Sequence, residues 1–427
     1  MVTTAAPASV SRLESLRGTN TPARMRIAAG ATAILAIVMA FVGSTAFGSR
    51  AATLEGARDS AAQLGQIEAI RTGIVEADAL ASTSYLRAGL EAPEERARYT
   101  ALIADAQAQI VTTARGGTGS DVTTLGKVSD SLAAYIALVE QSRANIRQGF
   151  PVGAAYQREA SSLVRDEILP ELDALTASGA QRTAEAIDDD MGAILGLWLP
   201  VVAVFAAIVV GSIWLYRRTR RILNVGLVVA GVVVAGVAFY GTAVLANGTR
   251  VGQDVLDGSY SAGAWLALAR TAGFDAKSNQ SLTLIARGNG AAFEQRWQGQ
   301  AESVDQALAT AEELGSAEAG TARQHWEAHR KRHETIRQLD DTGQYDAAVS
   351  LAINPTVDAN GAPTTDDFGS FDDQTAKGLA AENRATVDDL NDAASRTGRA
   401  RWVVLVGGLL VAVAVLLGYG RRIREYR

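Results

Sequence analysis

Four long apolar runs, residues 27–47, 191–216, 222–246 and 402–419, divide the chain, and none of them contains Asp, Glu, Lys, Arg or His. A helix rising ~1.5 Å per residue crosses ~30 Å of hydrocarbon in about 20 residues. The sequence therefore predicts four transmembrane helices. The second and third are joined only by Arg217, Arg218, Thr219, Arg220 and Arg221. The expected organisation is a tail (1–26), a span (27–47), a large segment (48–190), a span (191–216), a hairpin (217–221), a span (222–246), a second large segment (247–401), a span (402–419) and a tail (420–427). An even number of crossings between them puts both large segments on one face.

Charge assigns that face. The N-terminal tail (Arg12, Arg17, Arg24, Arg26), the hairpin and the C-terminal tail (Arg421, Arg422, Arg424, Arg427) hold 12 basic residues against two acids, Glu14 and Glu425. Short basic segments stay in the cytoplasm, so both termini are expected inside a plasma membrane and both large segments outside it. Residues 49–190 and 247–400 carry net charges of −8 and −9. Trp198, Trp214, Tyr216, Tyr240, Trp402 and Tyr419 lie towards span ends, where interfacial aromatics belong. No convincing small-residue cleavage site precedes Arg50, so the first run reads as an uncleaved anchor. The chain has 36 Arg, four Lys and no Cys. The Arg, Ala and Gly bias points to a GC-rich, actinobacterial source, and the outer segments must hold by packing without disulfides.

Those segments read as helical throughout. Leu54, Ala57, Ala61, Leu64, Ile67, Ile74 and Leu80 follow three- and four-residue steps that lay them on one helix face. Breaks at residues 89–93, 116–120 and 149–153 cut the remainder into three more helices, the last with an expected kink at Pro170. The predicted fold class is all-α: a membrane protein with four transmembrane helices and two extracytoplasmic four-helix bundles in a tandem span-bundle-span repeat.

The repeat is visible in residues. Tyr85 to Gly89 and then Glu95 to Tyr99 are echoed by Leu284 to Gly288 and then Phe293 to Trp297; Ala144 to Gln148 and then Tyr156 are echoed by Glu334 to Gln338 and then Tyr345. The aromatic and cationic members of these echoes, Tyr85, Arg87, Arg98, Tyr99, Arg287, Arg296 and Trp297, are candidate residues for binding a ligand or partner. Arg217, Arg218, Arg220 and Arg221 are candidates for cytoplasmic output or for contact with anionic headgroups.

Function is narrowed by exclusion. About 40 residues are expected in the cytoplasm, fewer than the ~50 of a small domain, so no kinase or cyclase module is expected there. Spans without ionisable groups disfavour an ion-coupled carrier. No phosphate loop, catalytic Cys or nucleophile elbow is found, so the chain is not expected to be an enzyme or to need a cofactor. Its acidity disfavours nucleic acid. Gly192 and Gly196 suit close helix contact in a membrane.

Two features stay open. His325, His329 and His333 recur every four residues, within an arc of ~80° on one helix. Aligning Ile336 with Ile146 places His329 opposite Val139 and His325 opposite Tyr135, so the stripe is partly core-facing. It is a candidate for metal binding or pH sensing, against a plain polar face. Residues 354–374 hold Asp358, Asp366, Asp367, Asp372 and Asp373 and no basic residue; they read as a solvated insertion or as a recognition loop for a basic partner.

The doubled span-bundle-span layout, the run from Ala81 to Glu91 and the Arg98-Tyr99 pair resemble the actinobacterial GlnX-type membrane proteins. That resemblance implies a relay between an extracytoplasmic amino-acid-binding lipoprotein and a cytoplasmic serine/threonine kinase of the G type, reporting glutamate, aspartate or glutamine. A broader likeness to chemoreceptor and sensor-kinase four-helix domains agrees on sensing. A structural or assembly protein and a transporter accessory subunit are the alternatives, and an oligomeric state is left open.

Overall fold

The computed structural model describes residues 21–87, 91–117, 119–188, 191–219 and 224–424. The helices are α1 (Thr21–Leu86), α2 (Pro93–Gly116), α3 (Gly119–Arg147), α4 (Gly153–Leu163), α5 (Leu169–Asp188), α6 (Met191–Thr219), α7 (Val225–Val255), α8 (Ser261–Ile285), α9 (Ala291–Glu313), α10 (Ala319–Asp341), α11 (Tyr345–Ile353) and α12 (Asp367–Arg424). No strand occurs among the described residues, only an isolated bridge between Val357 and Pro363. The chain is all-α, as the sequence predicts.

Local chemistry sets the helix ends. Pro93 opens α2, where its missing N–H costs nothing, with Glu94 and Glu95 in the positive first turn. The expected kink at Pro170 takes a definite form: residues Val164–Ile168 make a π turn joining α4 to α5. Pro170 cannot donate to the carbonyl four residues earlier, and a widened turn absorbs that misfit. A second π turn, Leu256–Tyr260, joins α7 to α8 and breaks helical geometry at Gly258.

The described residues group into two compact units: those within 1–55, 187–251 and 391–427 in one, those within 56–186 and 252–390 in the other. In the first, Ala36, Met39, Phe47, Val204, Ala230, Val404 and Val411 form the core. Ile34, Leu199, Phe239 and Leu417 point outward and stay exposed. Such an apolar exterior is costly in water and neutral in hydrocarbon, so it is compatible with a membrane protein. Small residues set the helix spacing. A Cβ on Gly196 would stand 2.5 Å from Cβ of Ala46, whereas one on Gly192 would meet nothing within 4 Å; only one of the two sequence-flagged glycines makes a close approach.

Five described helices are long and apolar enough to cross a membrane. Four contain the apolar runs. The fifth, α3, is only marginally apolar, and its Leu125, Val128, Leu132, Tyr135 and Val139 are buried in the second unit.

That second unit holds both repeats around a common core. Leu132, Tyr135 and Ile168 of the first repeat share it with Leu266, Val304 and Trp326 of the second. Sequence periodicity describes two bundles; packing joins them, because faces of α1 and α8 left over from each repeat's own core bury one another. Nineteen residues of α8 are buried, including Ser278, Asn279, Gln280 and Ser281.

Candidate ligand-binding site

Two polar layers join the repeats. In the first, the carboxylate of Asp78 on α1 accepts hydrogen bonds from Oγ of Ser161 on α4 and Oγ of Ser278 on α8, both at 2.7 Å. Ser82 Oγ lies 3.3 Å from Ser278 Oγ and accepts from Nε2 of Gln157 at 3.1 Å. Burial pushes the Asp78 pKa up, while Arg165 and the two serine hydroxyls pull it down. Arg165 also stands 3.7 Å from Asp275. In the second layer, Arg98 (α2), Glu76 (α1), Arg270 (α8) and Asp372 (α12) form a ring of alternating charge. Burial raises the Glu76 pKa, and Arg98 opposes it.

The second layer floors a cavity of about 490 Å³ between the repeats, which Arg87, Glu94, Lys277, Pro355, Asp366 and Asp373 also line. Arg87 donates to Glu95 at 3.0 Å and to the Ile353 carbonyl at 2.7 Å. Arg332 on α10 donates to the carbonyls of Val357 (2.8 Å) and Pro355 (2.7 Å). The two arginines hold residues 353–357 through their carbonyls, and of these Ile353 and Pro355 line the cavity. The stretch divides: residues 358–365 are exposed, as a solvated insertion would be, with Asp358 accepting the N–H groups of Asn360 and Ala362 across a turn, whereas residues from Asp367 onward are helical and Asp366 accepts the Gly369 N–H at 2.8 Å at the start of α12. Asp372, read as part of the loop, is buried in the charge ring.

Each repeat also has a site of its own at corresponding positions. In the first, the Arg143 guanidinium stacks 4.2 Å above the Tyr99 ring and lines a cavity of about 380 Å³ with Tyr85, Arg96 and Glu91. In the second, His333 stacks on Trp297 at 3.5 Å, nearly parallel. His333 occupies the position of Arg143 once Ile336 is set on Ile146, and Trp297 that of Tyr99 once Phe293 is set on Glu95. The adjoining cavity, about 780 Å³, is lined by Arg287, Glu294, Arg337 and Tyr345.

The sequence candidates therefore scatter. Tyr99 and Trp297 are buried ring partners, and burial takes the Tyr99 pKa up to about 12. Arg87 and Arg98 line the cavity between repeats, and Tyr85 and Arg287 line the end cavities. Arg287 adopts φ +42, ahead of Gly288 at +89, and lies over Tyr345. Arg296 lies over Phe293. Arg217 and Arg218 fall in the last turns of α6; Arg220 and Arg221 lie outside the described residues, as do Arg12, Arg17, Gly89 and Arg427.

The histidine stripe divides. His325 is half-buried, whereas His329 and His333 are each 1% exposed. The ring nitrogens of His333 meet Gln280 at 3.0 Å and Glu294 at 3.2 Å, and His329 sits among Trp326, Phe368 and Lys277. No group of three or more metal-ligating residues is assembled among the described residues. Sequence reasoning missed Lys277, Asp78 and Asp275. An Asp and a Lys two residues apart in the Ala- and Ser-rich helix α8 were the available signal.

Residues 53–188 match a family described as an actinobacterial sensor domain. The match covers the first repeat and supports a sensing or signalling role. Neither a curated protein nor a solved structure matches the chain.

Proposed function

We propose that the chain is a non-enzymatic, four-span sensor of the plasma membrane, with its helical unit outside and its termini inside. It relays amino-acid availability, presented by a solute-binding lipoprotein, to a cytoplasmic serine/threonine kinase, as the GlnX-type resemblance implies. One observation carries the reading: a charged cavity lies between two repeats, the first of which matches a sensor domain. Contact that changes the spacing of the repeats must alter the charge ring and the Asp78 hydrogen bonds. α1, α7 and α12 each carry residues of both units within one helix, so a shift of ~1–2 Å in such a helix would reach the arginine-bearing tails or the arginine hairpin that precedes α7.

The test has two parts. Cysteine at Thr219 should resist an impermeant thiol reagent in intact cells while cysteine at the exposed Ser120 reacts. Glutamine at Arg217, Arg218, Arg220 and Arg221 should then abolish amino-acid-dependent phosphorylation of the kinase substrate, with insertion and abundance retained. Parental signalling from that variant would remove the hairpin as the output surface.

A further inference from the structure

Lys277 stands apart from every other cation of the cavity between the repeats. Arg87 and Arg98 are matched by Glu95, Glu76 and Asp372. Among the described residues the Lys277 ammonium makes no hydrogen bond and no ion pair; it lies 4.7 Å from the centroid of the Phe368 ring. Half-buried, it has a pKa lowered by desolvation, with Asp366 and Glu95 opposing that shift and Arg332 adding to it. A cation in that position has lost part of its hydration without gaining a direct acceptor, so a ligand that supplies one is favoured. Glu94 and Asp373 line the same cavity, are exposed and make no ion pair among the described residues. The volume, about 490 Å³, falls in the ~300–1,000 Å³ range of small-molecule sites.

We infer that the cavity between the repeats directly binds a small zwitterion, its carboxylate on Lys277 beside the Phe368 ring and its ammonium towards Glu94 and Asp373. A simple anion would satisfy Lys277 and be repelled by Glu94 and Asp373; a simple amine would satisfy these carboxylates and leave Lys277 bare. Direct binding deepens the sensing reading, which assigns recognition to a separate lipoprotein, and it stands or falls apart from that relay.

The experiment uses the full chain in detergent and no lipoprotein. Calorimetry with glutamate, aspartate, glutamine, glycine betaine, succinate and putrescine should give binding by at least one zwitterion and none by succinate or putrescine. Lys277→Met, which keeps the stem and removes the charge, should weaken binding roughly ten- to a hundredfold; Asp373→Asn should weaken it less. In the parent protein, amine acylation read peptide by peptide should show Lys277 protected by ligand, with Lys127 and Lys377 unprotected, which keeps the test valid if Lys277→Met fails to fold. Absence of binding by every zwitterion, or unchanged affinity in Lys277→Met, overturns the site. Should binding fail while the cellular phosphorylation response persists, recognition lies in the lipoprotein and the relay reading survives.

Discussion

At neutral pH the carboxylate of Asp275, 7% exposed, is supported by Arg165 at 3.7 Å and by Nδ2 of Asn279 at 3.1 Å. Burial outweighs both and raises its pKa from 3.8 to about 6. The folded protein therefore takes up this proton before the unfolded chain does. Its contribution is fully present below about pH 4 and is lost as pH rises through 6. Asp275→Asn should gain up to about 3 kcal/mol relative to the parent between pH 4 and 7, read from paired unfolding curves in detergent; a constant offset across that range contradicts the assignment. His329 and His333, whose pKa values burial lowers, act with the opposite sign, so the parent-variant difference at each pH isolates Asp275. At this scale the sequence exposed the histidine stripe, because three imidazoles at four-residue spacing are visible in any alignment. It could not show that His333 stacks on Trp297 or that Lys277 lacks an acceptor, because both depend on which helix stands opposite.

Helix ends at Pro93, Gly116 and Gly149 were legible because proline and glycine act within one turn of themselves. The π turn before Pro170 was legible only as a disturbance; its form depends on how α4 and α5 pack over α3. Close approach of helices was the least legible property. A Cβ on Gly226 would lie 2.4 Å from Cα of Gly418 and 2.8 Å from the Ala414 carbonyl oxygen, while one on Gly231 would meet nothing within 4 Å. Gly226→Val should cost about 1–3 kcal/mol through overpacking, seen as a lower melting temperature in detergent. Gly231→Val should be near neutral. Equal effects of the two would mean that α7 and α12 do not meet at Gly226. Both glycines lie in apolar sequence, so composition alone does not separate them.

The joining of the two repeats is a property of the whole molecule and has a direct test. Ser82 and Ser278, 196 residues apart, bring their Oγ atoms within 3.3 Å, and the chain has no cysteine to interfere. Cysteines at both positions should form an intramolecular disulfide under mild oxidation. Cleavage between the repeats should then leave the fragments linked on a non-reducing gel. Separate fragments would mean that the repeats do not pack through α1 and α8. The helical class, the apolar runs and the residue echoes between the two large segments were legible in the sequence by itself, because hydrophobic periodicity, run length and self-similarity are written along one dimension. Tertiary structure alone decided that the repeats share a core, that Pro355 and Asp366 line a cavity and that Lys277, Glu94 and Asp373 line it with them. Those relations join residues some 80 to 280 positions apart, and only the burial of each repeat's remaining apolar and polar faces against the other brings them together.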